Sequence, residues 1–176
     1  MNNMIANVKF ARTRPDAKIP TKRVEDAGYD LWPCFDSDWI EIPPFENRLI
    51  PTGIASAIDE NWAFILRERG STGTKNIKIS AGVIDSGFNG PWFVDIYNGN
   101  KVSLFISKIG ETGEQSPLTE HPGAILYPYD KAIAQALLVP VPHTNVEVVD
   151  YEEIQNRQTE RGVGQLGSTN IPKKNI

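Results

Sequence analysis

The sequence predicts an all-β domain, a sandwich or barrel of short strands. Three observations carry that reading. Short apolar runs recur at close spacing, several alternating with polar residues, as in Ile40-Glu41-Ile42 and Ile77-Lys78-Ile79. Gly, Pro, Asn and Asp punctuate the intervals between them as turn residues. Thirteen prolines and fourteen glycines oppose long helices. The 176 residues suffice for a domain with its own core.

Taken in order, the strand-like runs are 8–11, 40–42, 48–50, 54–58, 62–66, 77–84, 92–97, 102–106, 134–141 and 146–149. A helix start is expected at one place, Ser71-Thr72, directly after the run 62–66. Residues 99–129 are polar and rich in Gly and Pro, with only 102–106 strand-like. A connection of that size is usually functional or mobile. The segment from Asp150 onward is charged, then Gly-rich, and too polar to enter a core. The expected organisation is a β domain over residues 1–150 with a long insertion at 99–129, followed by a flexible C-terminal arm over 151–176.

Composition excludes some functions. Eighteen basic and 22 acidic residues give a net charge of −4, so no bulk nucleic-acid partner is expected. An anionic ligand would need locally placed Arg and Lys. The single cysteine, Cys34, can form no internal disulfide and reads as a small buried hydrophobe. There is neither a secretory apolar core nor a run of membrane-spanning length, so no membrane is expected and the setting reads as cytoplasmic. His121 and His143 read as exposed.

Five stretches could carry chemistry. AGYDL (27–31) places Asp30 between apolar residues, which alone is also how a turn enters a strand. RERGSTGTK (67–75) sets small residues between Arg67, Arg69 and Lys75 at a strand-to-helix junction. Free N–H groups there can converge on an anion, and Arg supplies forked donors for phosphate; a basic surface turn would look the same. GVIDSGFNG (82–90) reads as a β-hairpin with Asp85 at its tip and Phe88 beyond it, able to admit a flat ligand against bare backbone, or simply as a Gly-rich turn with a solvated acid. Gln135 puts one amide in the apolar strand 133–137, where it must hydrogen-bond something. RGVGQLGSTN (161–170) interleaves Gly162, Gly164 and Gly167 with Arg161, Ser168 and Thr169. It reads as a loop able to fold over a phosphate chain or as a disordered tail.

In this order the five stretches resemble the five motifs of the trimeric dUTPases (dUTP diphosphatases), over about residues 27–170, and the resemblance extends to phage-encoded members. It implies a jelly-roll subunit, a homotrimer with active sites shared between subunits, Mg²⁺, and hydrolysis of dUTP to dUMP and diphosphate. That reaction lowers dUTP and supplies dUMP for thymidylate synthesis. Asp85 stands where the family has the acid that orients and deprotonates the attacking water. The backbone of Gly82, Val83 and Ile84 would read the uracil edge, and Phe88 would pack on the deoxyribose. Arg69, Gly70, Ser71, Gln135, Arg161, Gly167, Ser168 and Thr169 match positions along the phosphate chain. Asp30 matches the acid that acts near the metal through its waters.

The sequence departs from the family pattern at four positions. Phe88 replaces a Tyr and keeps the stacking face. Gly70 replaces a Ser, removing one side-chain donor. Leu166 replaces the aromatic that covers the uracil, losing stacking worth about 1 kcal/mol. Ala132 replaces an Arg, with Lys131 beside it. Two rival readings follow. A dCTP deaminase, or a bifunctional deaminase and dUTPase, would use the acid at Asp95, which reads first as structural. A nucleotide-dependent regulatory binding protein would use the 99–129 loop to hold a protein partner, as some phage members with an insertion near here bind repressors.

Overall fold

A computed structural model describes residues 5–159. The arm residues Arg161, Leu166, Gly167, Ser168 and Thr169, with the rest of the fifth motif, lie outside the described residues. The chain divides into two compact units, Met1–Pro142 and His143–Ile176.

The first unit is built from twelve short strands in four small sheets. β1 (Val8–Arg12) pairs with β5 (Ile54–Ile58). β3 (Trp39–Ile42), β10 (Leu104–Ser107) and β11 (Ile125–Pro128) form a second sheet. β4 (Asn47–Pro51), β9 (Phe93–Asn98) and β7 (Ile77–Ser80) form a third. The fourth has the order β2 (Gly28–Leu31), β12 (Ala134–Pro140), β6 (Trp62–Arg67), β8 (Val83–Asp85). Every pairing is antiparallel except β10 with β11.

Alternation explains why these segments form strands. On β9, Val94, Ile96 and Asn98 are buried while Phe93 is exposed and Asp95 and Tyr97 are half-buried. The inward residues meet Leu31, Ile42, Ile50, Ile54, Phe64 and Ile77 in one core. Burying each such side chain contributes about 1.5–3 kcal/mol. Phe64 and Trp92 stack edge-on at 5.1 Å between centroids, with Phe10 and Tyr29 packed around them. Asn98 is fully buried and satisfied: its amide donates to the carbonyls of Ile42, Pro43 and Val102, tying three segments together. Cys34 is buried as expected, and burial pushes its thiol pKa up.

Several expectations need correction. The run 77–84 is two strands, not one. β7 ends at Ser80, Ala81 takes a positive φ of 45°, and β8 crosses to the fourth sheet. The hairpin expected around Asp85 is therefore split: β7 pairs with β9, while β8 pairs with β6. No strand forms at 146–149; Val146 and Val148 stand exposed at 88% and 95%, with no neighbouring strand to pair with. Residues 99–129 hold a second strand, β11, that the sequence reading left as loop.

One short helix is expected and three form among the described residues. α1 (Gly70–Gly73) lies at the expected junction. α2 (Pro117–Glu120) starts on a cap, Ser116, whose hydroxyl accepts from the Leu118 N–H, and has Pro at its first position. α3 (Tyr151–Gln155), in the second unit, opens after Asp150 with two acids in its first turn. No helix among the described residues is long and apolar enough to cross a membrane.

Candidate active site

The sheet β2-β12-β6-β8 carries one residue or more from each motif within the described residues. At one end, Asp30 on β2 faces Gln135 on β12, and Gln135 faces Arg67 on β6. Past Arg67 the chain turns through Arg69 into α1, which returns Arg69 towards Asp30. The guanidinium grips the carboxylate with both arms: Nε donates to Oδ1 at 2.8 Å and Nη2 to Oδ2 at 3.1 Å. Its remaining nitrogen, Nη1, donates to the Ser71 hydroxyl at 3.4 Å and to the Ala132 carbonyl at 3.3 Å.

Thr72 holds this turn. Its buried hydroxyl accepts from the Arg69 N–H at 2.9 Å and donates to the Arg69 carbonyl at 3.0 Å. The N–H groups of Gly70 and Ser71, at the first two positions of α1, have no acceptor within the helix by its geometry. A Cβ at Gly70 would meet nothing within 4 Å, so the missing Ser is not imposed by packing.

Gln135 is half-buried, and its Nε2 donates to the Glu68 carbonyl at 2.7 Å. Beside it, Gly28 leaves room that no side chain could share, since a Cβ there would sit 2.8 Å from Gln135 Oε1. The result is an open polar cleft of about 610 Å³. Asp30, Arg69, Gly70, Ser71 and Gln135 all line it, so residues of three separated motifs lie side by side.

The sequence reading missed its other wall, the loop of Thr21, Lys22, Arg23 and Asp26. The signal was present, a Lys-Arg doublet and an acid just ahead of AGYDL. Arg23 grips Asp26 at 3.0 and 3.1 Å and holds that carboxyl pKa below the usual range. The pair therefore stabilises the loop above the ordinary carboxylate pKa, and the effect is lost as pH falls through the lowered value.

The third motif does not line this cleft. Asp85 is exposed on β8 and faces Ala63, four residues along β6 from Arg67. Three strand spacings and four residues separate it from the Asp30 row, roughly 20 Å. Gly82 is packed against β6, where a Cβ would meet the Leu66 carbonyl at 2.7 Å. The Leu66 N–H donates to the Gly82 carbonyl at 2.6 Å. Antiparallel alternation then turns the N–H and C=O of Val83 away from β6. Because β8 is the edge strand, they face no other strand. Val83 is exposed and Ile84 is buried in the core. Beyond them the chain turns back, with the Phe88 N–H donating to the Asp85 carbonyl at 3.0 Å. The Phe88 ring lies over Gly90, where a Cβ would be 2.9 Å from Cζ.

Asp95 sits elsewhere, on β9 of the third sheet. Asn47 Nδ2 lies 3.2 Å from both of its carboxylate oxygens.

Comparison with known proteins decides the family. The dUTPase family model matches residues 16–110. A deoxyuridine 5'-triphosphate nucleotidohydrolase of Leptospira interrogans is 32% identical over 162 residues, covering 90% of this chain and 94% of that one. The chain belongs to the dUTPase family. Solved family structures share the fold. A mutant dUTPase of Staphylococcus bacteriophage 80alpha, with dUpNHpp, matches at a TM-score of 0.70 and 20% identity, covering 93% of this chain and 98% of that one. A mutant dUTPase from phage phi11 of S. aureus, with a structural Mg(II) ion, matches at 0.61 and 21%, covering 83% and 99%. The jelly-roll expectation holds with them.

Proposed function

We propose that this dUTPase hydrolyses the bond between the α- and β-phosphates of dUTP, releasing dUMP and diphosphate. Family membership carries the reaction. The convergence of Asp30, Arg69, Ser71 and Gln135 in one cleft carries the assignment of residues.

The phosphate chain lies in that cleft. Arg69, the Ser71 hydroxyl, the free N–H groups of α1 and the second N–H of Gln135 Nε2 supply donors for its oxygens. The outward N–H and C=O of Val83 read the uracil edge. A cytosine would set donor against donor there, leaving buried polar groups unpaired, which discriminates far better than apolar contact does. Phe88, held back by Gly90, offers its ring face to the deoxyribose. Asp85 stands exposed at the end of the same edge strand, placed to hold the attacking water and accept its proton.

The cleft fits Mg²⁺ bound through substrate and water. Among the described residues no three His, Cys, Asp or Glu side chains gather to cage a metal. Mg²⁺ takes phosphate oxygens and waters in preference to such a cage. Each Asp30 oxygen accepts one Arg69 N–H and keeps a lone pair for a metal-bound water. When bound, the ion would neutralise charge along the triphosphate.

The separation of Asp85 from Asp30 supports a homotrimer whose sites draw Asp85 from one chain and the phosphate cleft from another. The resemblance of residues 161–170 to the family's fifth motif supports a part for Arg161, Leu166, Gly167, Ser168 and Thr169 in binding the nucleotide. The Asp95 geometry supports a structural role in holding Asn47 over a deaminase role.

The test is product analysis with dUTP, dCTP, dTTP and UTP offered separately with Mg²⁺. The expected products are dUMP and diphosphate, from dUTP alone. Uridine products from dCTP would overturn the reading in favour of a deaminase.

A further inference from the structure

The cation inventory of the cleft is unequal. Three cations line it: Lys22, Arg23 and Arg69. Arg69 is bound in both arms by Asp30, and Arg23 by Asp26. Each of those charges is neutralised by its partner. Lys22 has no carboxylate partner among the described residues. Its ammonium donates to the Asp26 carbonyl at 2.8 Å, rests at the edge of contact with the Arg23 carbonyl at 3.5 Å, and lies 5.7 Å from the centre of the Tyr29 ring. Carbonyls and a ring face orient a cation without cancelling it.

Lys22 is also well placed. Thr21 bridges to Asp30, whose N–H donates to the Thr21 carbonyl at 2.8 Å. Lys22 is thus one residue from the row that holds Asp30 and Gln135. An ammonium carries three N–H donors, and the two carbonyls leave at least one for a ligand.

We propose that Lys22 is a phosphate-binding residue, an uncompensated positive charge among the described residues of the cleft, contacting the oxygens of the bound triphosphate. The proposal rests on the dUTP reading above. It follows from the charge pairing: among the described residues of the cleft, the two guanidiniums are neutralised, and a polyanion is attracted chiefly by the ammonium that no carboxylate cancels. It also gives the 21–26 loop a role in binding, with the Arg23–Asp26 pair shaping the loop that presents Lys22.

The test uses two substitutions and two probes. Lys22→Gln keeps an N–H donor for the Asp26 carbonyl but removes the charge; Lys22→Arg keeps the charge. Thermal unfolding, KM and kcat for dUTP with Mg²⁺, and calorimetric binding of inorganic tripolyphosphate are measured for each. We expect Lys22→Gln to melt with the wild type, to bind tripolyphosphate about ten-fold more weakly with a shallower salt dependence, and to raise KM by a similar factor, charged hydrogen bonds being the strong ones. Lys22→Arg should recover most of both. Unchanged tripolyphosphate binding and KM in Lys22→Gln would overturn the proposal. So would an equal loss in both variants together with a lowered melting point, which would make Lys22 a loop tie. Tight tripolyphosphate binding by a wild-type protein that leaves dUTP intact would fail the dUTP reading and leave the charge assignment standing.

Discussion

Arg69 shows how one side chain organises the cleft. It bridges β2, α1 and the turn two residues ahead of β12 through Asp30, Ser71 and Ala132. At Ala132 the family pattern would put a second Arg. Here the position is buried, and only its carbonyl takes part, accepting from Arg69 and from the Tyr127 hydroxyl at 2.7 Å. Asp85 is different: it is exposed and placed by its strand alone. Asp85→Asn should therefore fold as the wild type, keep KM for dUTP and lower kcat about 10²–10⁴-fold, the range for losing a general base. Steady-state kinetics check this, and a wild-type kcat would remove Asp85 from the role of base. Most of these residues were legible in the sequence, because the chemistry marks them: an acid before a turn, an Arg in a run of small residues, an amide in an apolar strand. Lys22, Arg23 and Asp26 were not, because a charged loop looks like any solvated surface until its neighbours across the cleft are known.

At the scale of elements, the strands with strong alternation were legible to within a residue or two: β3, β5, β6 and β9 fall where the runs predict. The failures have physical causes. The break between β7 and β8 depends on Ala81 adopting a positive φ, a conformation that no Gly announced. Val146 to Val149 has the right composition for a strand and nothing to pair with. β11 is four residues ending in Pro, and its partner is parallel. That parallel pairing explains the length of the 99–129 region. Adjacent parallel strands cannot be joined by a tight turn; they need a crossover of about a dozen residues or more. Residues 108–124 are that crossover. Lys108 anchors its start by donating to the carbonyls of Phe35 at 2.6 Å and Asp36 at 3.0 Å. Replacing the whole of 99–129 by a short turn should cost the fold, because it removes β10 and the buried Leu104, Phe105 and Ile106. Replacing only 111–122 by a Gly/Ser linker of equal length should leave melting temperature and dUTP turnover near wild type. Loss of turnover in that second variant, with the fold intact by circular dichroism, would place the crossover in the active site.

At the scale of the molecule, the four-stranded sheet sets the separation that the proposed assembly would have to bridge. One end carries the phosphate cleft. The far edge carries Val83 and Asp85, proposed to read the base and hold the water, roughly 20 Å away. On the proposed roles, a separation of roughly 20 Å calls for Asp85 and Arg69 to come from different chains. The exposed apolar side chains of Phe88 and Val83 on that edge suit a surface completed by another copy. Sequence alone could name the parts of the site, since each motif is local. It could not state their separation, which depends on the order β2-β12-β6-β8 and on a register offset of four residues. The most direct measurement is complementation between two inactive chains. Asp85→Asn and Arg69→Gln proteins are each purified alone as inactive controls, and the two are also co-expressed with different tags so that the mixed oligomers can be isolated. Sites shared between chains of a trimer predict recovered dUTP hydrolysis, with about a third of the sites intact in the isolated mixed oligomers. Mixed oligomers as inactive as the two parents would contradict a shared site and require Asp85 and Arg69 to act within one chain.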